Sequence, residues 1–229
     1  VSGHIVVVTG TDSGVGKTFV ACAVARAMAA RGLHVVAVKA VETGVATLPE
    51  SQEDGVRLAR ATGQRHPLQA LYRFRTPVAP AVAAELEGEP PLDFDATVTA
   101  VERLARDADV ALVETAGGML APLAWDWNMV DLAETLGATV LVVGANRLGT
   151  INHTLLTLGA LELGGVQPAG VILSAPEAPD ASSGTNRDAI ARLAGLDRVL
   201  AIGRFPDDAA AAGAVAPALD WILGPSPAT

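Results

Sequence analysis

Short, continuous apolar runs recur along the chain at Ile5 to Val8, Leu33 to Val38, Val110 to Val113, Thr139 to Val143, Gly170 to Leu173 and Val199 to Ile202. Runs of this length without polar alternation predict strands covered on both faces, as in a parallel sheet. Between them lie Ala-rich stretches with helical spacing, such as Thr18 to Ala30, Glu53 to Ala61, Ala96 to Arg106 and Ile151 to Leu163. Gly32, Gly137 and Gly164 sit just past three helical segments, where left-handed caps are expected. Strand and helix therefore alternate, which predicts the α/β class: one domain over residues 1–224, a central parallel sheet and helices on both of its faces. Ligands of such sheets gather beyond the carboxyl ends of the strands. Residues 176–184 (PEAPDASSG) read as a surface loop and 225–229 as a disordered tail.

The first strand runs into Gly10 to Thr18 (GTDSGVGKT), and a helix follows. In a strand, loop and helix unit of this kind, backbone N–H groups from Gly14, Val15 and Gly16 point at a phosphate, and the Lys17 ammonium neutralises its outer charge. The Thr18 hydroxyl then has Mg2+ as its natural partner. This is a P-loop NTPase-like pattern in a variant form. The strict spacing puts the first glycine at Thr11, whereas here it stands one residue earlier, at Gly10. The partition and cell-division-site ATPases share such a variant, but their signature lysine would fall at Asp12, which disfavours a nucleotide-switched regulator.

A magnesium ion wants one or two carboxylates besides Thr18. Glu114 ends a buried run and is followed by the small residues Ala116, Gly117 and Gly118, so it should face the phosphate loop. Asp54 opens a helix, where an acid is equally expected for the helix dipole alone. Lys39 closes the second strand and should project over the same crevice as Lys17, with a solvated surface lysine as the alternative. Two lysines and two carboxylates there would form an electrostatic cradle for a transferring phosphoryl group.

The formal charge of −9 without a basic run argues against nucleic acid or an anionic membrane as partner. With 229 residues, half of them apolar, the chain can bury a sizeable core. The single cysteine, Cys22, excludes an internal disulfide and is expected to be a buried small hydrophobe. No basic segment precedes the first strand and no apolar run reaches membrane-spanning length, which together predict a cytoplasmic protein without a signal peptide.

Taken together, VTGTDSGVGKT (Val8 to Thr18), VKAVETG (Val38 to Gly44), VETAGG (Val113 to Gly118) and VGANRLGTINHTLLT (Val143 to Thr157) resemble the dethiobiotin synthase family. The resemblance implies a homodimer that closes a ureido ring from 7,8-diaminononanoate, CO2 or bicarbonate and ATP through a carbamate and a carbamic-phosphoric anhydride. It implies Lys17 and Lys39 as catalytic groups and Thr18, Asp54 and Glu114 as magnesium ligands. Thr11 and Thr43 would contact the diamine and carbamate region. Leu148, Gly149, Thr150 and Asn152 would come from the partner subunit to hold the substrate carboxylate at a helix start, with Thr150 as N-cap. The nucleotide would lie along Gly14 to Phe19, Thr115, Ala116 and Gly117, with its base near Ser174, Ala175, Pro206, Asp207 and Asp208.

The chain also departs from the family pattern. Ala40 replaces the usual proline, and Thr115 replaces the glycine of VEGAGG, placing a side chain beside the phosphates. Ala79, Pro80 and Ala81 match the family's S-P-H segment without its histidine. Ser174 and Ala175 stand where many members carry Asn and a polar residue that read adenine, and Asp207 is a candidate to replace that contact. A related amide ligase or kinase acting on another amine and carboxylate substrate is the enzymatic alternative.

Overall fold

The computed structural model describes residues 3–224; the tail expected at 225–229 lies outside the described residues. The chain runs β1 (His4–Gly10), α1 (Lys17–Ala30), β2 (Val35–Lys39), β3 (Val41–Thr43), α2 (Asp54–Thr62), β4 (Tyr72–Phe74), α3 (Pro80–Glu87), α4 (Phe94–Arg106) and β5 (Val110–Gly118). It continues through α5 (Met129–Thr135), β6 (Thr139–Ala145), α6 (Thr150–Leu163), β7 (Pro168–Ser174), α7 (Asn186–Ala194), β8 (Val199–Ile202) and α8 (Asp208–Leu223). Each apolar run named above lies in, or overlaps, a strand of the main sheet.

That sheet has the order β2-β5-β1-β6-β7-β8, and every pairing in it is parallel. Alternate strand residues feed two cores. Val6, Val8, Ala37, Leu112, Leu141 and Ile172 pack against α1, α2 and α8, whereas Val7, Val38, Val113, Val142 and Leu173 pack beneath α3 to α7. Two buried faces explain why the strands lack polar alternation. From β1 the chain crosses over to β2 and later returns to β6 on the other side, so the carboxyl end of β1, between β5 and β6, is the topological switch point.

Three features differ from expectation. A second, two-stranded parallel sheet forms from β3 and β4. Gly164 is not a left-handed cap: its φ is −84°, and Gly165 takes the left-handed turn at φ +70°. Gly164 is needed instead for packing, because a Cβ there would lie 2.1 Å from Val130 Cγ1 of α5. Lastly, Thr150 does not cap α6. Gly149 does, at φ +95°, and Thr150 is the first helical residue, with its hydroxyl buried and unpartnered among the described residues. Gly32 and Gly137 do turn left-handed, and Cys22 is fully buried as expected.

Candidate active site

Beyond the carboxyl ends of β1, β2 and β5 lies a cavity of about 390 Å³, lined by Gly14, Gly16, Lys17, Thr18 and Phe19 of the loop and α1, among others. Lys39, Thr43, Asp54, Glu114, Ala116 and Gly117 complete most of its wall. Lys39 and Glu114 are register partners on adjacent strands, which is why two side chains distant in sequence meet. The Lys39 ammonium donates to Glu114 Oε1 at 2.6 Å and to Asp54 Oδ2 at 2.8 Å. At 4% exposure Lys39 is buried, which removes the surface-lysine alternative. One residue on, the Ala40 N–H donates to the Glu114 carbonyl, a bond that proline at this position would forbid.

Thr18 donates its hydroxyl to Glu114 Oε1 at 2.8 Å, so one carboxylate oxygen serves both Lys39 and Thr18. The other, Oε2, is buried with no hydrogen-bond partner among the described residues. A buried carboxylate oxygen left unsatisfied is costly unless a ligand completes it. A hard cation fits: Glu114, Asp54 and Thr18 offer oxygen donors on one wall, with phosphate oxygens to share the coordination. Among the described residues no group of three or more His, Cys, Asp or Glu side chains could hold a metal ion.

Charge balance separates the two lysines. Burial pulls the Lys39 ammonium down, but the neighbouring carboxylates of Glu114 and Asp54 outweigh it and hold the group well above its ordinary range. Burial, reinforced by the charge of Lys39, lowers Lys17 to about 8. Its ammonium donates only to the Asp12 carbonyl, at 2.9 Å, among the described residues. Burial acts to raise Asp54, but Lys39 more than offsets this and holds its carboxyl below the usual range. The cavity thus holds one neutralised lysine and one under-compensated lysine, and the latter is suited to meet a polyanion.

The remaining sequence candidates divide. Val15 is buried and can contribute only its backbone. The Thr115 side chain does not project beside the phosphates. Strand alternation turns it inward, fully buried, with its hydroxyl 3.0 Å from the Gly117 carbonyl and 3.3 Å from the Thr9 hydroxyl. Ser174 abuts the phosphate loop, since a Cβ on Gly16 would come within 3.0 Å of its Oγ. Ala175 and Pro206 do not line the cavity. Asp207 spends its carboxylate capping α8 through the Ala210 N–H at 2.8 Å, and Asp208 is paired with Arg26.

Thr11, Leu148 and Thr150 meet elsewhere, in a small cavity with His153, and Thr11 and His153 also line an adjoining cavity of about 230 Å³. Leu148 is 81% exposed, and Asn152 is exposed on α6. The sequence reading missed Arg57 and Glu42, which both line the main cavity. Arg57 lies one turn beyond Asp54 on α2, a spacing that could have found it.

Fold and cavity together define a P-loop nucleotide-binding protein, and the AAA domain family matches residues 4–212. The chain is 42% identical over 203 residues to the ATP-dependent dethiobiotin synthetase BioD of Anaeromyxobacter sp. (strain Fw109-5), covering 87% of this chain and 90% of that protein. It is 39% identical over 225 residues to the enzyme of the same name from Mycobacterium bovis (strain BCG / Pasteur 1173P2), covering 96% and 98%. The chain belongs to the dethiobiotin synthetase family. In fold alone it is also similar to the MinC:MinD cell division protein complex of Aquifex aeolicus, with a TM-score of 0.60 over 99% of this chain and 98% of that one at 15% identity.

Proposed function

We propose that this protein is an ATP-dependent dethiobiotin synthetase, a ligase that forms two carbon–nitrogen bonds on 7,8-diaminononanoate. The observation that carries the reading is the meeting of Lys17, Lys39, Thr18, Asp54 and Glu114 around one cavity, with Glu114 Oε2 unpartnered, in a chain 42% identical to an ATP-dependent relative. One substrate amine adds to CO2, losing a proton, to give a carbamate. A carbamate oxygen attacks the γ-phosphorus and the nucleoside diphosphate leaves. The second amine then attacks the carbamoyl carbon, closing the ring and expelling phosphate.

Lys17 holds the outer phosphates, and Lys39 stabilises the oxygens between carbamate and phosphoryl group as charge moves. Thr18, Asp54 and Glu114 would hold Mg2+, which supplies Lewis-acid neutralisation of the phosphate oxygens when bound. Thr43 contacts the carbamate region from β3, and Thr11 faces the diamine. Leu148, Gly149, Thr150 and Asn152 serve the neighbouring site of a homodimer, and none of them lines the main cavity of their own chain. A cytoplasmic location belongs to the same proposal. No helix among the described residues is long and apolar enough to cross a membrane.

The test is product analysis by mass spectrometry with diaminononanoate, bicarbonate, Mg2+ and a panel of triphosphates. Dethiobiotin should form with phosphate release that requires both the diamine and bicarbonate. Phosphate release that ignores them, with no cyclic product, would assign the chain to another reaction. The panel also shows which base Ser174 and Ala175 accept.

A further inference from the structure

Two buried carboxylates near the cavity take no part in the mechanism above. Glu42, 4% exposed on β3, accepts the Asp54 N–H on Oε1 at 2.5 Å and the Gly55 N–H on Oε2 at 3.1 Å. Glu53, 2% exposed, accepts both arms of Arg73, Nε at 3.0 Å and Nη2 at 2.6 Å. Glu42 and Arg73 are register partners across the β3–β4 sheet. This small sheet therefore grips three consecutive residues, Glu53, Asp54 and Gly55, at the start of α2.

The first amides of a helix have no partner within it and are usually met by the side chain of the capping residue. Here the capping residue is Glu53, whose side chain makes no cap and is committed to Arg73. Glu42 takes over that task from another element. The backbone of the segment leading into β4 closes the third side, since a Cβ on Gly55 would lie 2.4 Å from the Ala70 nitrogen. That same segment is tied to the end of β2, because the Leu71 and Tyr72 N–H groups donate to the carbonyls of Lys39 and Ala40. One short sheet is thus bonded both to the backbone that carries Lys39 and to the backbone that carries Asp54.

We propose that the β3–β4 sheet is a positioning clamp, in which Glu42 and Arg73 hold the start of α2 so that the Asp54 carboxylate stands correctly for Lys39 and for the metal. The proposal rests on the reading of the cavity as a metal-triphosphate site. Glu42 and Arg73 are positioning residues that act through Asp54. Outer partners that orient a metal ligand commonly cost about tenfold or more in metal affinity when they are lost.

The experiment measures Mn2+ binding by electron paramagnetic resonance in the presence of a non-hydrolysable ATP analogue, with metal-free analogue binding measured by calorimetry. Glu42→Gln keeps the size but offers only one acceptor to two N–H groups. It should weaken Mn2+ binding by about tenfold or more, with a smaller change in metal-free analogue affinity. Arg73→Gln should act in the same direction, and Arg73→Lys should restore part of the loss. Wild-type Mn2+ affinity in a cooperatively melting Glu42→Gln protein overturns the clamp, even if its Tm has fallen. Should Glu42→Gln not fold, Arg73→Gln decides by the same criterion. If the wild-type protein itself takes up no Mn2+ with the analogue, the reading of the cavity falls and the clamp falls with it.

Discussion

The Lys39 ammonium and Glu114 Oε1 stand 2.6 Å apart on adjacent strands, Lys39 at the end of β2 and Glu114 at the middle of β5, and both side chains are almost wholly removed from solvent. Lys39 keeps Asp54 as a second carboxylate partner, whereas Glu114 has its ion pair with Lys39 alone among the described residues. Lys39→Met is therefore expected to cost about 3 kcal/mol of stability, because a buried carboxylate loses its partner. It should also cut kcat about a hundredfold or more while changing triphosphate affinity less, since the ammonium matters most as charge develops on the anhydride oxygens. Thermal unfolding and steady-state kinetics read the two effects separately, and near-normal kcat would remove Lys39 from the chemistry.

Lys17 supplies a pH dependence of definite sign. Its folded value of about 8 lies below the ordinary 10.5. Below the lower value both folded and unfolded chains carry the proton, and the folded chain bears the full cost of burying it. Between the two values the unfolded chain binds more protons, so the Lys17 contribution to stability rises with pH across that window. A bound triphosphate reverses the preference by favouring the ammonium. Calorimetry at about pH 8.5 in buffers of different ionisation enthalpy should show proton uptake on triphosphate binding. Lys17→Met should abolish that uptake, and an unchanged uptake would place the proton elsewhere.

Subunit mixing tests the dimeric site. Lys17→Ala and Asn152→Ala should each depress activity alone, and co-expressed heterodimers should regain part of it, because one of their two sites would contain neither change. Stable heterodimers without any regain would show that each site is built within one chain.

Packing at the end of α6 gives a stability prediction. Gly164→Ala pushes a methyl group into Val130 Cγ1 and should cost about 1–3 kcal/mol. Val130→Ala should relieve much of that cost in a double-mutant cycle measured by urea unfolding. Additive effects would mean that the two positions do not press on each other.

The main sheet was legible in the sequence because burial on both faces turns each strand into an unbroken apolar run. The β3–β4 sheet was not, because Val41–Thr43 and Tyr72–Phe74 are only three residues each, too short for any period to emerge. For the same reason Glu42 was visible inside VKAVETG but its task was not, since the amides it serves lie on α2. Lys17, Lys39, Thr18 and Glu114 were readable as a group because each closes or follows a recognisable apolar run or opens a helix, although β5 runs on past Glu114 to Gly118. Asp54 was ambiguous in the sequence, and only its hydrogen bond to Lys39 draws it into the cavity. The choice between Gly149 and Thr150 as cap, and between Gly164 and Gly165 as turn, depends on backbone angles that a run of small residues does not encode.

Gly10 does not turn left-handed. A Cβ there would come within 2.9 Å of Val15 Cγ2, the Asp12 carbonyl and Lys17 Cδ, so the loop folds down onto a bare floor and the stem of Lys17 rests on it. With the curve supported from below, the next position is released from any need to be small. Thr11 uses that freedom to line the neighbouring hollow with His153. Shifting one glycine by a single step thus lets one short loop border two hollows, with Gly14 and Gly16 on the one and Thr11 on the other.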